Sequence, residues 1–123
     1  MERVGTPLKA TAIYNILIGL IALSPALVRS VFGYEVKDAG AMLVIASYGV
    51  GFGFLVWMAA ANPAKYGGLA QAVAVALVIS IVSLLWGWLR GAFTMRNVGL
   101  PIVIEVALVA WIWSSRPRGV GGQ

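Results

Sequence analysis

The sequence predicts an all-α integral membrane protein, an up-down bundle of four transmembrane helices, and three observations predict it. First, 61% of the 123 residues are hydrophobic and 11% are charged, whereas an ordinary soluble domain is about 45–50% apolar and about 25% charged. Second, the apolar residues fall into four long runs, and a hydrocarbon core of about 30 Å is crossed by roughly 20 residues of helix. Third, the basic residues sit singly at the ends of those runs, together with the tryptophans, as membrane-interface anchors do. The whole chain, 1–123, reads as one transmembrane domain.

The first span is expected over about 8–31, "LKATAIYNILIGLIALSPALVRSV", with Pro25 tolerated as a kink near its far end. It is too long for the apolar region of a secretory signal and is therefore read as a retained span. A polar turn, "GYEVKDAG", leads to the second span at about 39–61, which stops at Asn62-Pro63 because the residue before proline is pushed out of the α region. A tight loop, "NPAKYGG", precedes the third span at about 69–89, "LAQAVAVALVISIVSLLWGWL". After "RGAFTMRN" the fourth span runs over about 98–114.

An even number of spans places both ends of the chain on one side of the membrane. Arg3, Lys9, Lys65, Arg116 and Arg118 fall on that side, and Arg29, Lys37, Arg90 and Arg96 on the other. The positive-inside rule then favours cytoplasmic termini in a prokaryotic-type inner membrane. Trp57, Trp86, Trp88, Trp111 and Trp113 all lie near expected span ends and read as interface anchors.

The composition also excludes. The chain has no cysteine and no histidine, so disulfides, thiolate chemistry, and histidine-held metal or haem are ruled out, and no metal or covalent cofactor is expected. The net charge of +5 comes from scattered basic residues that form no stripe, which argues against nucleic-acid binding.

In lipid, helices associate where small residues three or four apart let their backbones approach. Gly49 and Gly53 in "YGVGFGF" form such a pair one turn after Ala46, with Gly51 on the opposite side. Gly87 and Gly91 form a second candidate pair near the end of the third span.

Glu105 stands out among the polar residues. It lies about seven residues into the fourth span, so at about 1.5 Å per residue it is roughly 10 Å below the interface. An ionisable group at that depth is a candidate functional site. Three accommodations are open: a neutral acid donating to a neighbouring carbonyl, a pair with Arg29 or Arg90, or a polar pocket drawing on Asn15, Ser47, Tyr48, Ser80 and Ser83. For Asn15 interhelical hydrogen bonding is favoured over ligand contact, and for the serines a bond to the backbone one turn earlier is the default.

The run "YNILIGLIALSPALVRSVFG", the glycine-rich "YGVGFG", the "ANPAKY" turn and a polar residue midway along the last helix together resemble the DoxX-like group of small four-helix membrane proteins, over about residues 10–115. The resemblance implies a compact up-down bundle. Some members look like subunits of quinone-linked membrane oxidoreductases. Where relatives often carry an amide or other polar residue in the fourth helix, this chain has Glu105.

Two functions are weighed on these grounds. The first is a non-catalytic accessory or assembly subunit of a larger membrane complex, with a quinone-linked redox complex as the case the resemblance implies. Its partners would be membrane lipids and other integral subunits or further copies of itself, with a lipid or quinone between the helices. The second is a small homo-oligomeric transporter or channel in which Glu105 couples protons to a cationic or amphipathic substrate. Catalysis would rest on Glu105 with Tyr48 or Arg90, and no second carboxylate lies in any span to complete an acid/base pair.

Overall fold

The computed structural model describes residues 4–115. Among them the chain is helical, and four helical segments are long and apolar enough to cross a membrane. Helix α1 spans Gly5–Ala22, α2 Pro25–Phe32, α3 Ala39–Ala61, α4 Pro63–Tyr66, α5 Ala70–Leu89 and α6 Met95–Ser115. The crossing order is up, down, up, down, as expected for an integral membrane bundle. Arg3, Arg116 and Arg118, used above to orient the chain, lie outside the described residues.

Helix α1 begins at Gly5, three residues earlier than expected, and three other boundaries differ from the sequence expectation, each for a local reason. The first run does not continue through Pro25 with a kink. It ends at Ala22, and Ser24 caps a new helix, its hydroxyl accepting from the Leu27 N–H at 3.3 Å with Pro25 in the first turn. Serine before proline is a strong helix start because the hydroxyl satisfies an orphan donor and proline has no N–H to lose. Residues 25–32 therefore form a separate short helix, α2, closed by Gly33 in the left-handed region at φ 65°.

The "NPAKYGG" segment is helical too. Asn62 caps α4 by accepting from the Lys65 N–H at 3.3 Å, and a 3-10 turn at Gly67–Leu69 carries the path into α5. The third crossing is thereby Pro63–Leu89. The last helix starts at Met95, three residues earlier than expected. Thr94 and Asn97 cap it reciprocally, with Thr94 N–H donating to Asn97 Oδ1 at 2.8 Å and Asn97 N–H to Thr94 Oγ1 at 3.3 Å. This is the capping-box logic with asparagine in place of glutamate.

Helix α1 is the hub. It packs most extensively on α3 and also on α6, while α6 packs on α5. It is both the least apolar span, at mean hydropathy 1.2 against 1.9, 2.4 and 1.8 for the others, and the most buried. The two facts belong together, since polar side chains in a bilayer are placed toward protein.

The α1–α3 contact is made by backbone. A methyl group added at Gly53 would stand 2.5 Å from Ile16 Cγ1 and 2.9 Å from the Ala12 carbonyl oxygen. One at Gly19 would stand 2.9 Å from both the Ala46 carbonyl oxygen and the Val50 nitrogen, and Gly49 lies on the backbone of Gly19. Gly49 and Gly53 thus pack helices as expected, with Gly19 as their counterpart. Gly51 meets nothing within 4 Å, so α3 is approached on one side only.

Gly87 and Gly91 do not form a helix-packing pair. Gly87 makes room for the Phe93 ring, and Gly91 ends α5 with φ 82° and open space around it. The tight core lies in the half of the bundle near the chain ends, where Leu8, Ala12, Val56, Ala74, Leu77, Leu108 and Ile112 interlock. The outward faces of α3 and α5 carry exposed Leu, Ile, Val, Phe and Trp side chains, the surface a lipid environment accepts.

Substitution at these glycines separates the two roles. Gly19→Ala forces a backbone clash and is expected to lower stability by about 1–3 kcal/mol. Gly51→Ala meets nothing and is expected to stay within about 0.5 kcal/mol. Unfolding titrations in mixed micelles measure both.

Candidate functional site

Opposite the tight core, toward the α1–α3 and α5–α6 connections, the helices line a half-open cavity of about 380 Å³. Tyr14, Ile18 and Ala22 line it from α1, one helical turn apart, and Pro101 and Glu105 do the same from α6. Met42 and Ile45 of α3 and Ser80 and Leu84 of α5 complete its sides. Its outer end is built from Val28 and Phe32 of α2, with Tyr34 and Phe93, whose rings meet edge to face at 5.5 Å.

Three features of the sequence hold this end in place. Asn97, having capped α6 with its oxygen, donates its side-chain amide to the Phe32 carbonyl at 2.8 Å. Arg96 reaches over Gly33 to the Ser30 carbonyl at 3.4 Å. The glycine is needed there, because a Cβ at residue 33 would collide with the arginine head group. Pro101, placed inside α6 by the early helix start, has no N–H to offer the Asn97 carbonyl, which loosens the helix along the cavity wall.

Glu105 is at the midpoint of α6, ten residues from each end, and therefore deeper than the expected helix start implied. It is 5% exposed. The Tyr14 hydroxyl donates to its Oε2 at 2.7 Å, joining α1 to α6. Ser80 is the α5 neighbour of the carboxyl group, without the geometry of a full hydrogen bond. Oε1 has no hydrogen-bond partner. A buried carboxyl oxygen left open in this way costs more than an open hydroxyl, because desolvation falls on the group with the larger charge density.

The candidates named from sequence are dispersed. Arg29 and Arg90 are exposed and do not line the cavity, and the Arg90 guanidinium lies over the Trp86 ring at 5.5 Å. The arginine pairing is replaced by the Tyr14 hydroxyl. Tyr48 is 76% exposed on the outside of α3. Asn15 turns its amide to the Thr11 carbonyl at 2.9 Å, and Ser47 and Ser83 bond one turn back to Leu43 and Ile79. Of the residues proposed as neighbours, Ser80 reaches the site.

Tyr14 was the partner missed. It adjoins Asn15, and adjacent residues on a helix point about 100° apart, so choosing between them required knowing which face meets α6. The Thr94-Asn97 cap, in contrast, was legible as a threonine followed three residues later by a side-chain acceptor.

The tryptophans remain at the helix ends. Trp57 lies under the Lys9 ammonium at 6.0 Å on the side of the chain ends, and Trp86, Trp88, Trp111 and Trp113 are each 40% or more exposed. A cation over an exposed ring near a span end is the geometry of an interface anchor.

No family model, no curated protein and no solved structure matches this chain.

A double-mutant cycle tests the Tyr14–Glu105 bond between α1 and α6. Tyr14→Phe and Glu105→Leu are expected to couple by about 0.5–2 kcal/mol in unfolding titrations. Tyr48→Phe combined with Glu105→Leu is expected to be additive.

Proposed function

We propose that this chain is a non-catalytic integral membrane subunit of a larger membrane complex, and that its contribution is to hold one small amphipathic molecule between its helices. The observation that carries the reading is the cavity of about 380 Å³, with the Tyr14–Glu105 pair, Ser80 and Asn97 set in a wall that is otherwise apolar and aromatic. Sites for small molecules are concave, about 300–1,000 Å³, largely apolar, and carry a few placed polar groups. A lipid or a quinone-like compound fits that description by size and polarity.

The non-catalytic part of the reading is supported by Glu105 standing without a second carboxylate, lysine or arginine in the cavity wall among the described residues. Membership of a larger complex is supported by the broad apolar faces of α3 and α5, which suit protein as well as lipid. The resemblance to DoxX-like proteins adds quinone-linked redox complexes as the kind of assembly. We place the protein in a prokaryotic inner membrane with cytoplasmic termini, on the positive-inside argument.

A second reading has one observation of its own in its favour. The open Oε1 of Glu105 supports a small homo-oligomeric carrier in which this carboxyl exchanges a proton for substrate.

Native mass spectrometry after mild extraction decides between the two. The subunit reading expects co-purifying polypeptides and a small bound molecule, and Ala22→Phe, which fills the cavity, is expected to lose that molecule while retaining the fold. A particle made only of copies of this chain favours the carrier, and unchanged substrate flux in Glu105→Gln would then remove proton coupling.

A further inference from the structure

We propose that the cavity holds an acyl chain of one anionic phospholipid, whose phosphate is bound at the cavity mouth by Arg96. The inference rests on the cavity being a ligand site, and it names the ligand class and the residue that reads its head group.

The surroundings of the mouth supply the head-group site. Arg96 lies over Gly33, between Phe32 and Tyr34, which both line the outer end of the cavity. Arg96 is exposed and spends one N–H on the Ser30 carbonyl at 3.4 Å. Most of its donors therefore remain for a phosphate, which the planar guanidinium fork binds well. Arg29, Lys37 and Arg90 stand at the same end of the bundle with Glu35 and Asp38, and no ion pair joins them among the described residues. Four basic residues against two acidic leave a surplus of positive charge, which favours an anionic head group over a zwitterionic one.

Below the mouth the wall is graded as a phospholipid is. Tyr34 and Asn97 line the outer part. The Tyr34 hydroxyl makes no hydrogen bond among the described residues, and Asn97 gives one amide proton to the Phe32 carbonyl and keeps the second. Such donors suit ester carbonyls, the acceptors next below a phospholipid's phosphate. Deeper, Ile18, Ala22, Ile45 and Leu84 offer an alkyl chain an apolar wall. Helix α3 packs on α1 and α5 on α6, while α3 and α5 make little contact with each other. The open side of the cavity is therefore the seam between α3 and α5, through which a chain enters from the bilayer.

The test is native mass spectrometry of the full chain in mild detergent, titrated with phosphatidylglycerol and with phosphatidylcholine of the same acyl chains. The expected result is saturable binding of one phosphatidylglycerol, tighter than phosphatidylcholine by about fivefold or more, the effect of roughly one well-placed basic residue. Arg96→Gln is expected to remove that preference. Arg90→Gln, an equal loss of charge at a residue laid over Trp86, is expected to leave it within about twofold. Ala22→Phe is expected to lose the bound lipid, and inorganic phosphate to displace none of it. Equal binding of the two lipids by the unmodified protein overturns the inference, whether or not a variant folds, and leaves the ligand-site reading standing. Equal losses in Arg96→Gln and Arg90→Gln overturn it as diffuse surface charge, and displacement by inorganic phosphate overturns it as a free-anion site. A preference that survives in folded Ala22→Phe overturns it too, by placing the lipid outside the cavity. Absence of saturable binding by either lipid, with no small molecule retained on native extraction, overturns both.

Discussion

Backbone contact between α1 and α3 is the constraint from which the rest of the arrangement follows. With Gly19 against Gly49 and Val50, and Gly53 against Ala12 and Ile16, the two helices approach as closely as their main chains permit. Lipid supplies no hydrophobic drive for helix pairing, so close approach and dispersion contacts must supply it. Residues 12, 16 and 19 of α1 are thereby committed to α3. At about 100° per residue, 14, 18 and 22 lie from roughly 90° to 170° round the helix from them. That side meets α6 and the cavity.

The two halves of the bundle differ because their side chains differ. Near the chain ends, alanines alternate with leucine, isoleucine and valine across α1, α3, α5 and α6, and the core closes. In the other half, α1 ends early at Ala22 and α6 carries Pro101 inside it, and the crossing helices do not fill the space between them. Helix α2 occupies the end of that space. It is fixed there by Asn97 and Arg96 from the start of α6. The cavity thus lies where two helix-start signals, Ser24-Pro25 and Thr94-Asn97, fall on the same side of the bundle.

Glu105 gives this space a chemical character. An acid at mid-membrane is tolerated when neighbouring groups satisfy it, and here the satisfaction is partial: Tyr14 takes one oxygen, and the other is buried with no hydrogen-bond partner among the described residues. The Tyr14–Glu105 bond joins α1 to α6 at the middle of the span.

The sequence alone determined the class of protein, the number of crossings and their order, and it singled out Glu105 as an acid inside a span. Those properties depend on composition and on runs of about 20 residues, which are local in the chain. It also placed Gly49 and Gly53 at a helix contact, because small residues one turn apart have few other uses in a span. The tertiary structure decided the rest. Whether Gly87 and Gly91 met a helix or a turn, whether Pro25 kinked a helix or began one, and whether Glu105 met an arginine or a tyrosine all depended on which faces the packing brought together. Periodicity says which residues share a face; it does not say what that face meets. In a membrane protein even the buried and exposed faces are both apolar, so only the packed bundle separates Tyr14, at the cavity, from Tyr48, on the surface.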